Sequence, residues 1–256
     1  MGDPWGGNGA SEKKADRLAD IINRLLQDLV LRAAKEEGIR DYFHVGVIGY
    51  GVQVGSAFSG TLAGRQLVPL SEVGNSPARI EERNKKVPDG AGGLVEQSVR
   101  FPIWFEPVAS GATPMNQALT QAKGVIESWL SQHPDCFPPI VINITDGEPT
   151  DGDPSSAAEQ IRRLKSSDGD VLLFNIHCSS QRTPPPTMFP TSDAGLPDQF
   201  ARQLFGMSSR LTPQMAALAS KEGYNAGEDA RGFVFNADME EVIKALEIGT
   251  RPSELK

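Results

Sequence analysis

Apolar residues recur at helical spacing from about Ala15 to Glu36: Leu18, Ile21, Ile22, Leu25, Leu26, Leu29, Val30 and Ala33, with Lys, Arg and Asp between them. That pattern predicts an amphipathic helix, stopped near Gly38. Phe43–Gly49 (FHVGVIG) then reads as a strand. From 50 to 100 the pattern weakens. Short strands are expected around Gly51–Gly55, Gln66–Leu70 and Phe101–Phe105, with Ile80–Lys86 a solvated loop or short helix. Asp89-Gly90-Ala91-Gly92-Gly93 is turn chemistry.

The second half is punctuated more sharply. Thr113-Pro114 places a capping residue before proline and opens a helix whose apolar face is Met115, Ala118, Leu119, Ala122, Val125, Ile126 and Trp129. Ile140–Thr145 follows as a buried strand. Asp153-Pro154 opens a helix to about Lys165, and Val171–Cys178 (VLLFNIHC) is the next buried strand. A long irregular insertion follows, and its stretch from about Ser179 to Gly195 is expected to be surface loop near the carboxyl edge of the sheet. Thr212-Pro213 starts another helix, Gly232–Asn236 is a short strand, and Asp238-x-x-Glu241 is a capping box before the last helix. Alternating helix and strand predict an α/β fold: a doubly wound, mostly parallel sheet with helices on both faces. The expected layout is a Gly-rich lead over 1–14, one domain over 15–250 and a short tail over 251–256.

The 256 residues are 39% hydrophobic and 23% charged, enough for a sizeable core. A net charge of −8 argues against nucleic acid or an anionic membrane as the main partner. No apolar run suits a membrane span, and the opening is not a signal peptide. Two cysteines, Cys136 and Cys178, form no metal or disulfide pattern, so a cytoplasmic location is expected.

The chemistry concentrates at Asp146. An apolar β-branched run ends there in an acid and a glycine, which delivers a carboxylate to the carboxyl edge of a sheet. The turn Ser110-Gly111-Ala112-Thr113-Pro114-Met115 supplies a hydroxyl; together Thr113 and Asp146 suggest ligands of a small hard cation. Asp153 reads as a cap, and Glu148 and Asp151 as solvated loop acids. Gly49-x-Gly51 opens no helix, so it is no dinucleotide fingerprint. Gly206-Met207-Ser208-Ser209-Arg210 departs from the nucleophile elbow at its last position. His177 and Cys178 point to opposite faces of their strand, and His177 reads as a core or edge histidine.

On Thr113, Asp146 and their turns, the chain resembles von Willebrand factor type A domains, from about Ala15 to Thr250. Its opening, the Lys13–Asp28 helix and the Asp238–Arg251 segment are similar to bacterial cytoplasmic members. The resemblance implies a protein-interaction module rather than an enzyme. It implies Mg²⁺ (or Mn²⁺) held at a metal-ion-dependent adhesion site by Thr113 and Asp146, a partner protein supplying an acidic residue, and an association with kinase or phosphatase signalling proteins. The family's D-x-S-x-S is absent, and Met1 stands where the Met after it would stand. The implied fold therefore lacks its central first strand, and the implied metal binding is weak or absent. The rival reading is a magnesium-dependent hydrolase or phosphatase using the acids around Asp146.

Overall fold

The structure is a computed structural model and describes residues 13–88, 93–108, 111–178 and 185–250. What the sequence suggested for the Gly-rich lead up to residue 12, the 89–92 turn, Ser110, the first part of the insertion (179–184) and the 251–256 tail lies outside the described residues. In chain order the elements begin with α1 (Lys14–Ala33), β1 (Ala34–Lys35), β2 (Gly38–Ile39), β3 (His44–Val45), β4 (Ile48–Tyr50) and β5 (Val54–Ser56). Then come β6 (Val68–Pro69), α2 (Leu70–Asn75), β7 (Arg79–Pro88), β8 (Leu94–Ile103), α3 (Met115–Gln132), β9 (Ile140–Thr145) and α4 (Ser155–Arg162). The last are β10 (Lys165–Ser166), β11 (Gly169–Asp170), β12 (Leu172–Cys178), β13 (Thr187–Met188), α5 (Gln199–Met207), α6 (Pro213–Lys221), β14 (Phe233–Ala237) and α7 (Met239–Thr250). No helix among the described residues is long and apolar enough to cross a membrane.

The chain divides into two compact units: Met1–Arg17, Tyr50–Val54 and Ala109–Lys256 in the first, Leu18–Gly49 and Gly55–Val108 in the second. The first is built on a mixed sheet of order β13-β14-β12-β9. β9, β12 and β14 run parallel, and β13 runs antiparallel to β14. The β9–β12 register is unbroken from Ile140↔Leu172 to Thr145↔His177. Leu173, Phe233 and Phe235 pack with Met115, Leu119 and Ile126 of α3, Ala158 and Ile161 of α4, and Leu204 and Phe205 of α5. Strand alternation sends Ile142 and Phe174 to the other face, where both approach Gly249 of α7.

In the second unit Leu26, Leu29 and Ala33 of α1 share a core with Phe58, Leu62, Val68, Leu70, Val73, Trp104 and Phe105. Asn23 is buried there and fully used: its Nδ2 donates to Phe105 O at 3.2 Å and its Oδ1 accepts from Trp104 N at 2.9 Å. The buried Trp104 indole donates to Val73 O at 2.6 Å. β7 and β8 form a long antiparallel ribbon, Arg79↔Ile103 to Pro88↔Leu94. Arg83 on that ribbon binds both oxygens of Asp20 at 2.9 Å and lies 3.9 Å over the Phe101 ring.

The expected doubly wound, mostly parallel sheet with a missing central strand is corrected by this architecture. Parallel pairing is confined to three strands of the four-stranded sheet; the other sheets among the described residues have two strands each. β1–β2, β3–β6, β7–β8 and β10–β11 are antiparallel. Phe43–Gly49 was read as one strand of the parallel sheet. It splits instead into β3 and β4, and β3 pairs antiparallel with β6. At Gly46 a Cβ would sit 2.5 Å from Gln66 O, so backbones crowd there as no larger residue allows. Ile80–Lys86, read as loop or short helix, is strand, and α5 occupies a stretch read as irregular.

Gly232 closes β14 onto β12. Its carbonyl accepts from Asn175 N at 2.8 Å, and a Cβ there would lie 2.0 Å from Phe174 Cδ1. Phe174 is 2% exposed and cannot swing clear. Gly232→Ala is therefore expected to destabilise by about 1–3 kcal/mol, the usual cost of overpacking. Thermal melts check it, and Phe174→Leu in the same chain should recover part of the loss. An unchanged melting temperature for Gly232→Ala alone contradicts this packing.

Candidate functional site

β9 ends at Thr145, and Asp146 follows at the carboxyl edge of the parallel strands. Thr145 folds the turn: its hydroxyl donates to Gly147 O at 2.9 Å and accepts from Gly147 N at 3.3 Å. The Thr113 hydroxyl lies 3.6 Å from the position a Cβ would take on Gly147. Two backbone-level links fix that approach. Thr113 N donates to Thr150 Oγ1 at 2.9 Å, and Thr150 N donates to Thr113 O at 3.0 Å. The structure thus brings the Thr113 turn and the turn after Asp146 together.

Thr113 does not cap α3. Pro114 occupies the capping position and offers no side-chain bond. Asp151 does that work from the neighbouring loop, accepting from Asn116 N at 3.1 Å and Gln117 N at 2.8 Å. A carboxylate at a helix N-terminus gains from the exposed N–H groups and from the helix dipole. Asp153 accepts from Ser155 N at 2.8 Å at the start of α4 and from Gln203 Nε2 at 2.6 Å. Its carboxyl is held below the usual carboxylate range, chiefly by Ser155.

Asp146 faces a cation that belongs to the chain. Lys14 Nζ stands 3.6 Å from Asp146 Oδ2, and the two side chains are only 8% and 13% exposed. A nearly buried ammonium beside a nearly buried carboxylate is tolerated because each compensates the other; removing one strands the other. Nearby, the His177 ring is stacked on Phe235 with centroids 4.6 Å apart and meets Phe200 edge-on at 6.1 Å. His177 Nδ1 accepts from Asn236 N at 3.3 Å. Burial, and secondarily the Lys14 charge, push its pKa down to about 4, against a smaller opposing pull from Asp198. His177 is therefore neutral at pH 7. Asn236 takes a left-handed conformation (φ 58°), which asparagine tolerates better than most residues. The β12–β14 register shifts there, between Ile176 and Cys178.

These residues suit a resident Mg²⁺ or Mn²⁺ poorly. Asp146 already has an ammonium on one oxygen, and Asp151 and Asp153 are turned to backbone N–H groups. Among the described residues no group of three or more His, Cys, Asp or Glu side chains is placed to hold a metal. A hydroxyl and a carboxylate shared with Lys14 leave too little charge to displace water from such an ion. Lys14 is the participant that sequence reasoning missed; Asp151, read as a solvated loop acid, caps α3 instead, and His177 sits as the core or edge histidine it was read as. Asp151 carried a local signal, its position in the turn after Asp146.

Comparison with protein-family models, with curated proteins and with solved structures found no match to this chain.

Two outcomes follow from this geometry. Asp151→Ala should cost about 1 kcal/mol through loss of the α3 cap, read by denaturant unfolding. The His177 shift sets a pH dependence. Its folded pKa lies below the unfolded value, so the unfolded chain takes up the proton first as pH falls. Its contribution to stability is complete above about pH 6.5 and is lost as pH drops towards about 4. His177→Gln keeps an acceptor for Asn236 N but does not titrate. The melting temperature of the native chain should fall relative to this variant between those two pH values; a constant difference would show that His177 is not held neutral.

Proposed function

We propose that this chain is a protein-interaction module that meets its partner at the carboxyl edge carrying Thr113 and Asp146. The class of partner, a protein supplying an acidic residue, comes from the resemblance to von Willebrand factor type A domains. In this reading the cation beside Asp146 is Lys14, not a divalent metal. The supporting observation is the stitched pair of loops: Thr113 and Thr150 hold each other, Asp151 locks the second loop onto α3, and the nearly buried Asp146–Lys14 pair lies beside them. Loops fixed on a sheet edge make a preorganised binding surface. The hydrolase reading loses support because Asp151 and Asp153 serve as backbone caps. Two free cysteines, one of them the fully buried Cys178, suit a reducing cytoplasm.

The test compares immobilised native chain with Thr113→Ala and Asp146→Ala in an extract of the source cells, with Mg²⁺ or with chelator. A protein retained by the native chain, released by both substitutions and indifferent to chelator is the expected result. The same proteins on all three chains would refute the interface. Release by chelator alone would restore the metal and displace Lys14 from its role. Lys14→Ala removes the internal cation, so added Mg²⁺ should raise the melting temperature of that variant and leave the native chain unmoved.

A further inference from the structure

At the opposite, amino edge of the same strands, three arginines converge on an open cavity of about 360 Å³. Arg162, Arg210 and Arg231 line it, together with Asp170, Val171, Leu172 and Ser209. Each arrives by a different element. Arg162 is the last residue of α4, Arg210 lies just beyond α5, and Arg231 precedes β14. The framework is firm. Ser209 N donates to Leu173 O at 2.7 Å, Ser209 Oγ accepts from Leu173 N at 2.9 Å, and Gly232 N donates to Ser209 O at 2.9 Å. Arg210 and Arg231 sit directly opposite each other in an antiparallel bridge, a placement that like charges resist.

Structural duties account for part of this cluster. Arg231 Nη1 donates to Ser208 O at 2.8 Å and to Gly206 O at 3.4 Å, satisfying carbonyls at the end of α5, and its guanidinium lies 4.9 Å from the Phe205 ring centroid. Arg162 Nη1 donates to Ser208 O at 3.4 Å. Arg210 pairs with Asp229 at 3.0 Å, both well exposed. One feature is left over. Arg162 Nε is buried and has no hydrogen-bond partner among the described residues. A buried charged donor without an acceptor is costly, so the Arg162 guanidinium is under-compensated by the described residues around it. The local field points the same way. Burial and the neighbouring Arg162 and Arg210 charges lower the pKa of Arg231, against smaller contributions from Asp229 and Asp193.

We propose that this cavity binds the phosphate group of a small phosphate monoester. Three guanidiniums and one carboxylate, Asp170, line the cavity; Asp229 answers Arg210 from outside the lining, and the excess positive charge that remains favours an anion. A phosphate presents three terminal oxygens to planar donor forks, whereas a single carboxylate saturates one fork. The cavity falls in the usual range of small-molecule sites, roughly 300–1,000 Å³, and so has room for an organic body beside the phosphate. Val171 and Leu172 offer that body an apolar wall. The phosphate ester is either a free metabolite or a phosphorylated side chain of a peptide. The site shares no residue with the interface around Asp146, so either can fail without the other.

Calorimetric titration of the full chain with inorganic phosphate, glycerol phosphate and a short phosphoserine peptide tests the assignment. Glycerol phosphate is expected to bind with a dissociation constant of about 1 mM or tighter. Arg162→Gln and Arg210→Gln should each weaken it by about tenfold or more. Arg210 is exposed, so its substitution is expected to leave the fold intact even if Arg162→Gln unfolds the chain. Binding of the peptide but not of glycerol phosphate supports the phosphate chemistry and assigns its source to a protein side chain. The proposal is overturned if none of the three probes binds, or if binding survives undiminished in the arginine variants.

Discussion

A line of hydrogen bonds threaded through the parallel strands holds the first unit together. Tyr50 donates to Asn143 Oδ1 at 2.7 Å, and Asn143 Nδ2 donates to Asn175 Oδ1 at 2.9 Å. Asn175 Nδ2 passes the line to Ser208 Oγ at 2.9 Å, and Ser208 Oγ donates to Leu204 O at 2.8 Å. Asn143, Asn175 and Ser208 are each 6% exposed or less. Polar groups so deeply buried are tolerated only when paired, and then they specify one arrangement. Asn143 and Asn175 face each other across the β9–β12 ladder, so a slip of one residue would separate the two amides and leave both unsatisfied. The Tyr50 hydroxyl also reaches Ile144 O at 2.8 Å, and burial raises its pKa above the ordinary tyrosine value.

Both edges of the sheet inherit their geometry from that line. At the carboxyl end, fixing β9 fixes Thr145, whose hydroxyl shapes the Asp146 turn. At the amino end, Ser208 is a junction: its hydroxyl belongs to the buried line and its carbonyl takes Arg231 and Arg162. The arginine cavity is therefore anchored to the same interior that positions Asp146. Neither edge depends on loop geometry alone.

What could be read from the sequence was what is decided locally. Thr212 caps α6 through Met215 N, and Asp238 and Glu241 form a reciprocal capping box at α7. β9 falls at Ile140–Thr145 as its apolar run suggests. The ribbon of β7 and β8 was illegible because Ile80–Lys86 is charged and low in β propensity. It becomes strand only by pairing with the β8 segment and by placing Arg83 on Asp20. The fold class went wrong for a related reason. Helix-strand alternation holds in the second half, but extending it through residues 43–105 assumed parallel neighbours where the strands find antiparallel ones. The Asp146 turn was legible as the neighbour of the Thr113 turn, as the structure has it. Its counter-charge was not, because Lys14 lies in the first turn of a distant helix and looks like any lysine on an amphipathic surface.

The two edges resolve their charge in opposite ways, and this bears on what each can do. At Asp146 the carboxylate and the Lys14 ammonium are desolvated together and compensate each other, so the pair behaves as a neutral, specifically shaped feature. A divalent ion there would have to displace an internal cation and then bind through few oxygens. At the amino edge compensation is incomplete: Asp229 answers Arg210, backbone carbonyls answer part of Arg231, and Arg162 Nε has no partner among the described residues. A surface with net charge −8 repels small anions at long range, so binding at such a site must come from short-range donors rather than from steering. Converging guanidiniums on a rigid framework supply those donors. The acidic edge, read first as the ion-binding place, is thus the electrostatically satisfied one, and the basic edge is where an ion is still called for.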